Sequence, residues 1–112
     1  FDCVLATRIA RHGLVFTDDG PVNMTKSLHE FSKEPLDTGC GCTACTQYSR
    51  GYMRHLFKAG EMLGPMLATE HNLTYLYNLM ERIKVSIRNN EFSDFRKSFL
   101  ARYYGNKKNG RG

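Results

Sequence analysis

The sequence predicts an α/β fold that is one part of a larger molecule. Three observations carry this expectation. Residues 1–6, "FDCVLA", form an apolar run of the length of a buried strand. Two further β-prone runs, "LVFT" and "VNM", flank "DDGP", whose Asp-Gly pair supplies turn residues for a hairpin. From Thr46 onward, apolar residues recur at spacings of three and four, the helical period. One strand and one hairpin cannot close a sheet, and a lone apolar strand needs neighbours that these 112 residues do not supply. The first residue is Phe1 rather than Met, which agrees with a piece of a longer chain.

Asp2 is the anomaly of the first run. A buried carboxylate carries a desolvation cost unless it is paired or used. It reads either as an exposed acid near the start of the chain or as a carboxylate held at a cleft as a nucleophile or base. "TRIARHG" follows, basic and ending at Gly13, and reads as a loop. Arg8 and Arg11 stand three apart in it, beside Thr7 and His12. That spacing suits contact with the phosphates or bases of a nucleic acid, and equally a solvated basic loop. The hairpin spans 14–24, and the polar stretch 25–39, with Pro35 and Gly39, is a connector.

The pattern predicts a helix from Thr46 to Leu63, with Tyr48, Tyr52, His55 or Leu56, Ala59 and Leu63 along it. Gly64-Pro65 breaks it, and Pro65 suits the first turn of a second helix. That helix runs to Arg88 with Leu73, Leu76, Met80, Ile83 and Ile87 as its apolar stripe, and Asn89-Asn90 ends it. A third helix runs from Ser93 to Tyr103, with Phe92, Phe95, Phe99 and Tyr103 on one face. These stripes read as core.

Sixteen Lys and Arg against eleven Asp and Glu leave a formal charge of +5, a balance suited to a polyanion such as nucleic acid. Much of the excess sits in the tail "GNKKNGRG", without which it falls to +2. The start of the chain lacks the pattern of a signal peptide, and no apolar run approaches the roughly 18 to 20 residues of a membrane span. The chain therefore reads as a soluble, cytosolic protein with no membrane partner.

"CGCTAC" places Cys40, Cys42 and Cys45 within six residues, and His71 follows 26 residues after Cys45. Three thiols and an imidazole number four, the coordination of a structural zinc. The close Cys-x-Cys and Cys-x-x-Cys spacings let one turn aim three sulfurs at a point. A closed shell of this kind leaves no position for a reacting water, so the ion would be architectural. It would tie the loop before the first helix to the start of the second, and Arg50 or Arg54 could offset its net negative charge. A disulfide pair or thiols buried as small hydrophobes are the other readings. His12, His29 and His55 are also available as the fourth ligand. Cys3 stands apart, as an inert core thiol.

Taken together, "FDCVLATRIARHG", "DGPVN", "PLD", "CGCTACTQYSRGYMRHLFKAGEMLG", "TEHNLTYLYNLM" and "FLARYY" resemble the C-terminal part of tRNA-guanine transglycosylase, also called queuine tRNA-ribosyltransferase. The resemblance covers nearly the whole chain. One position departs: Ala6 stands where the family usually has Pro.

The resemblance implies a (β/α)₈ TIM barrel with a zinc-binding helical subdomain, of which this chain is the C-terminal fragment. It divides the chain at 1–24 (last part of the barrel), 25–89 (zinc subdomain and long helix) and 90–112 (C-terminal helix and basic tail). It implies that Asp2, at the end of a barrel strand, attacks the ribose of the wobble guanosine in a tRNA with a GUN anticodon. A 7-deazaguanine base, preQ1 or queuine, then replaces guanine. Thr7, Arg8, Ile9, Ala10 and Arg11 match the loop that recognises the anticodon. Cys40, Cys42, Cys45 and His71 match the zinc ligands, one ion per chain. Tyr48, Tyr52 and His55 align with a homodimer face. The acid/base aspartate and the base pocket would lie upstream, so the 112 residues alone are expected to be inactive. The alternative is a non-catalytic, zinc-stapled tRNA-binding accessory subunit.

Overall fold

The computed structural model describes the backbone of residues 3–105 and the side chains from Thr7 to Tyr104. In chain order the elements are α1 (Cys3–Arg11), β1 (Leu14–Val15), β2 (Val22–Asn23), a 3₁₀ turn (Ser27–His29), α2 (Thr43–Gln47), α3 (Arg50–Lys58), α4 (Leu63–Arg88) and α5 (Phe92–Gly105). The 26 residues of α4 make a rod about 39 Å long. It sets the 46 Å long axis of the molecule, and α1, α2, α3, α5 and β1 all pack against it.

The α/β expectation holds in part. Among the described residues helices dominate, and the sheet is one antiparallel hairpin pairing Leu14 with Asn23 and Val15 with Val22. Residues 3–6, expected as strand, open α1, and the expected basic loop is its second half. An isolated strand leaves its N–H and C=O groups unpaired, whereas a helix pairs them internally. Arg8 and Arg11 fall in the last turn of α1, where cations oppose the negative end of the helix dipole. Ala10 is fully buried in the core.

The hairpin forms where the Asp-Gly pair predicts it. Thr17 C=O accepts from Gly20 N–H at 3.0 Å, and the Thr17 hydroxyl donates to Gly20 C=O at 2.6 Å. Gly20 has φ +108° and lies so near Tyr103 that a Cβ would come within 2.9 Å of its carbonyl oxygen. Only glycine meets both conditions without strain.

The single helix expected over 46–63 is two helices. Tyr48 is extended, and Ser49 caps α3 by accepting from Tyr52 N–H at 3.1 Å, which restarts the helix. Gly51 lets that first turn touch the preceding loop. A Cβ there would lie 2.8 Å from Glu30 C=O and 2.9 Å from Ser32 C=O.

The apolar stripe expected for α4 is not its buried face. Leu67, Ala68, His71, Asn72 and Tyr75 are buried, whereas Met80 and Ile87 are 39% and 60% exposed. The polar members of the inner face find partners on the hairpin and the cysteine loop, which removes the cost of burying them. The α5 stripe holds in part: Phe95, Phe99 and Tyr103, half-buried, stack in series with centroids 6.0 and 5.3 Å apart, whereas Phe92 is 40% exposed and none of the four joins the core. The core joins Ala10, Val15, Met24, Leu36, Cys42, Ala44, Met53, Leu56, Leu67 and Ala68. Full burial of Met24, Leu36 and Met53 contributes about 1.5–3 kcal/mol each.

Candidate metal centre

The loop 37–42 and the start of α2 carry the three thiols, and α4 carries the imidazole. Cys42 is the N-cap of α2, its sulfur accepting from Cys45 N–H at 3.4 Å. That bond bends the chain so that Cys42 and Cys45 face the same point. Arg50 pins the approach to this loop, donating to Pro35 C=O at 3.0 Å and Leu36 C=O at 2.8 Å. Asp37 N–H donates to Cys45 Sγ at 3.4 Å, so both Cys42 and Cys45 receive backbone donors.

His71 is fully buried on α4 and turns Nδ1 toward the thiols. The sulfurs of Cys42, Cys45 and Cys40 lie 3.3, 3.4 and 3.6 Å from it. The four donor atoms fall within 4.8 Å of one another. On the far side of the ring, Nε2–H donates to Phe16 C=O at 2.7 Å. A carbonyl can only accept, so the proton sits on Nε2 and Nδ1 presents its lone pair to the thiols. Asn72, next on α4 and also fully buried, accepts from Phe16 N–H at 3.0 Å and donates to Leu14 C=O at 3.1 Å.

The cluster favours negative charge at one sulfur. A hydrogen bond from the Cys45 thiol, opposed by burial and aided by His71, lowers the Cys42 thiol to about 4. The same bond, together with burial, pushes Cys45 up, and burial pushes Cys40 up. Three sulfur donors and one imidazole nitrogen, closed and mostly buried, form a donor set able to hold a metal ion. The disulfide reading is set aside, because Cys40, Cys42 and Cys45 are free thiols. Of the four histidines His71 is the one the fold brings to the thiols.

The other expected site residues are spread over the molecule. Asp2 lies outside the described residues. Thr7, Arg8 and Arg11 are exposed on α1, Ile9 is half-buried and Ala10 is buried. Tyr48 and Tyr52 stack with centroids 5.0 Å apart, and the His55 ring lies 6.2 Å from Tyr52, so the three form a row beside α3. Sequence reasoning missed Asn72 and the Phe16 carbonyl. An Asn in the inward phase of a helix, next to a ligand His, was the available signal; a backbone carbonyl carries none.

No helix among the described residues is long and apolar enough to cross a membrane. The family model described as "Queuine tRNA-ribosyltransferase" matches residues 1–105. Among similar proteins, the queuine tRNA-ribosyltransferase of Borrelia hermsii is 48% identical over 103 residues, 92% of this chain and 28% of that protein. That of Caldanaerobacter subterraneus is 50% identical over 107 residues, 96% of this chain and 28% of its own length. That of Bacillus velezensis is 48% identical over 109 residues, 97% and 29%. The chain thus spans under a third of the length of these relatives. With a family match over residues 1–105 and a three-cysteine, one-histidine cluster, the chain belongs to the queuine tRNA-ribosyltransferase family.

Proposed function

We propose that the protein this chain belongs to exchanges the wobble guanine of tRNA for a 7-deazaguanine base, preQ1 or queuine, in the cytoplasm. The family match across residues 1–105, which includes Asp2 and the "TRIAR" segment, carries the reading. Asp2 is the nucleophile. Its carboxylate oxygen bonds to ribose C1′ as the C1′–N9 bond to guanine breaks. Guanine leaves with a proton from an acid/base group outside this chain. That group then takes a proton from the incoming base, whose nitrogen displaces Asp2 and restores the carboxylate. Two inversions at C1′ give net retention, the logic of a retaining glycosidase. Thr7, Arg8, Ile9, Ala10 and Arg11 form the segment that meets the anticodon. The remainder of a (β/α)₈ barrel supplies the pocket for the base. The row Tyr48, Tyr52 and His55 is a homodimer face.

Zinc is the ion that suits the cluster. Tetrahedral zinc, with Zn–S about 2.3 Å and Zn–N about 2.0–2.1 Å, puts sulfur and nitrogen about 3.6 Å apart. The 3.3–3.6 Å between Nδ1 and the three sulfurs agrees with that edge. Cys40, Cys42, Cys45 and His71 would hold it, and its contribution is architectural.

The test is Asp2→Asn in the protein at the length of its relatives. Incubation of the parent enzyme with tRNA is expected to leave a protein–tRNA adduct that survives denaturing electrophoresis, and the variant is expected to lose it. An adduct that persists in the variant would exclude Asp2 as nucleophile. Base exchange is not expected of the 112 residues alone.

A further inference from the structure

The short strand β1 has two edges. Gly13 and Val15 lie on one, where Gly13 C=O accepts from Met24 N–H at 2.8 Å and Val15 pairs with Val22. Backbone groups two residues apart point the same way, so Leu14 and Phe16 offer theirs on the other edge. No strand pairs with that edge among the described residues. Two consecutive side chains of α4 occupy it instead. Asn72 accepts from Phe16 N–H and donates to Leu14 C=O, while His71 Nε2–H donates to Phe16 C=O. Phe16 is therefore held at both its backbone polar groups by neighbouring residues of one helix.

This arrangement has a consequence for the thiol cluster. The ring of His71 can aim Nδ1 at the sulfurs only while Nε2 keeps its carbonyl acceptor. That carbonyl belongs to the residue just after β1, on the edge that no strand pairs among the described residues. Asn72 does the holding, because its amide presents an acceptor and a donor at the spacing a strand partner would. We propose that Asn72 is a positioning residue for the metal centre: by clamping Leu14 and Phe16 it fixes the carbonyl that orients His71. The inference rests on the metal reading above.

The test uses the protein at the length of its relatives. Metal content of the parent is measured first, and zinc affinity is then read by competition with a chromophoric chelator. Asn72→Leu, similar in size but unable to hydrogen bond, is expected to bind zinc about 10–100-fold more weakly. Its cobalt-substituted form is expected to show shifted ligand-field bands. Arg82→Ala is the control: it removes a different bond from α4 to the hairpin, to Asp18, and should leave zinc affinity and the cobalt spectrum unchanged. A parent without metal would overturn both the metal reading and this inference. A loaded parent with an Asn72→Leu affinity within about twofold of it overturns the inference alone, as does equal weakening by Arg82→Ala. Should Asn72→Leu fail to fold, Asn72→Asp replaces it, keeping the acceptor for Phe16 and losing the donor to Leu14. The parent also gives an independent reading. Hydrogen exchange at the Phe16 amide is expected to speed up when metal is stripped, and exchange that stays constant overturns the coupling.

Discussion

His29 shows how one residue's burial turns into a pH dependence. It is 5% exposed on the 3₁₀ turn. Burial lowers its pKa, and the charges of Arg50 and Arg54 lower it further. In the unfolded chain the imidazole titrates near its ordinary value of about 6.5. The unfolded state therefore binds the proton first as pH falls. The contribution of His29 to stability is complete above about pH 6.5 and declines as the pH drops toward its lower folded value. Denaturant midpoints measured at about pH 7.5 and 5.5 should fall for the parent, and His29→Gln should lose less between them.

At the scale of elements, the turn of the hairpin ties α4 to α5. Arg82 on α4 donates to Asp18 at 2.8 Å and lies 5.8 Å from the ring centres of both Phe95 and Phe99 on α5. Tyr75 donates to the same carboxylate at 2.9 Å, and Arg102 on α5 donates to Asp19 at 2.6 Å. Burial raises the Asp18 carboxyl, but the hydrogen bonds from Arg82 and Tyr75 outweigh it and hold the group below its usual range. This junction is complete above about pH 4 and is lost as Asp18 protonates at lower pH. Arg82 is 41% exposed, so solvent screens the pair, and Arg82→Ala should cost about 1 kcal/mol, cation–π contacts included. Chemical denaturation of the two proteins measures this, and a difference that shrinks in high salt identifies its ionic part.

For the whole molecule the thiol cluster is a joint rather than a surface ornament. Cys42 belongs to the hydrophobic core, and His71 reaches through its ring to the hairpin. A metal ion held there would link the cysteine loop, the hairpin and α4 at one point. A ligand that binds only the folded state stabilises it by mass action, and ligands that must shed protons bind more weakly as pH falls. Chelation should lower the melting temperature of the protein, and added zinc should restore it. The same loss should appear as pH falls, since protons then compete with the metal for its ligands. A melting temperature indifferent to chelator would show that the cluster holds no ion that matters to the fold.

The three thiols of the centre were legible in the sequence, because Cys-x-Cys and Cys-x-x-Cys spacings converge through local geometry alone, whereas spacing left the imidazole open among four histidines and the fold brought His71 to them. The hairpin and the helices α4 and α5 were legible too, from the Asp-Gly turn and the helical period. The run at residues 3–6 was too short to separate strand from helix, and the Ser49 cap cut the following helix where its period continued unbroken. Which face of α4 lies inside could not be read from its leucines and isoleucines. The bonds that decide it join residues 55 to 58 positions apart, from His71 and Asn72 to Phe16 and Leu14. Local spacing thus determined the thiols, the turn and the helices α4 and α5. Tertiary packing decided the rest, because a buried polar side chain is stable only opposite a partner that the distant chain brings to it.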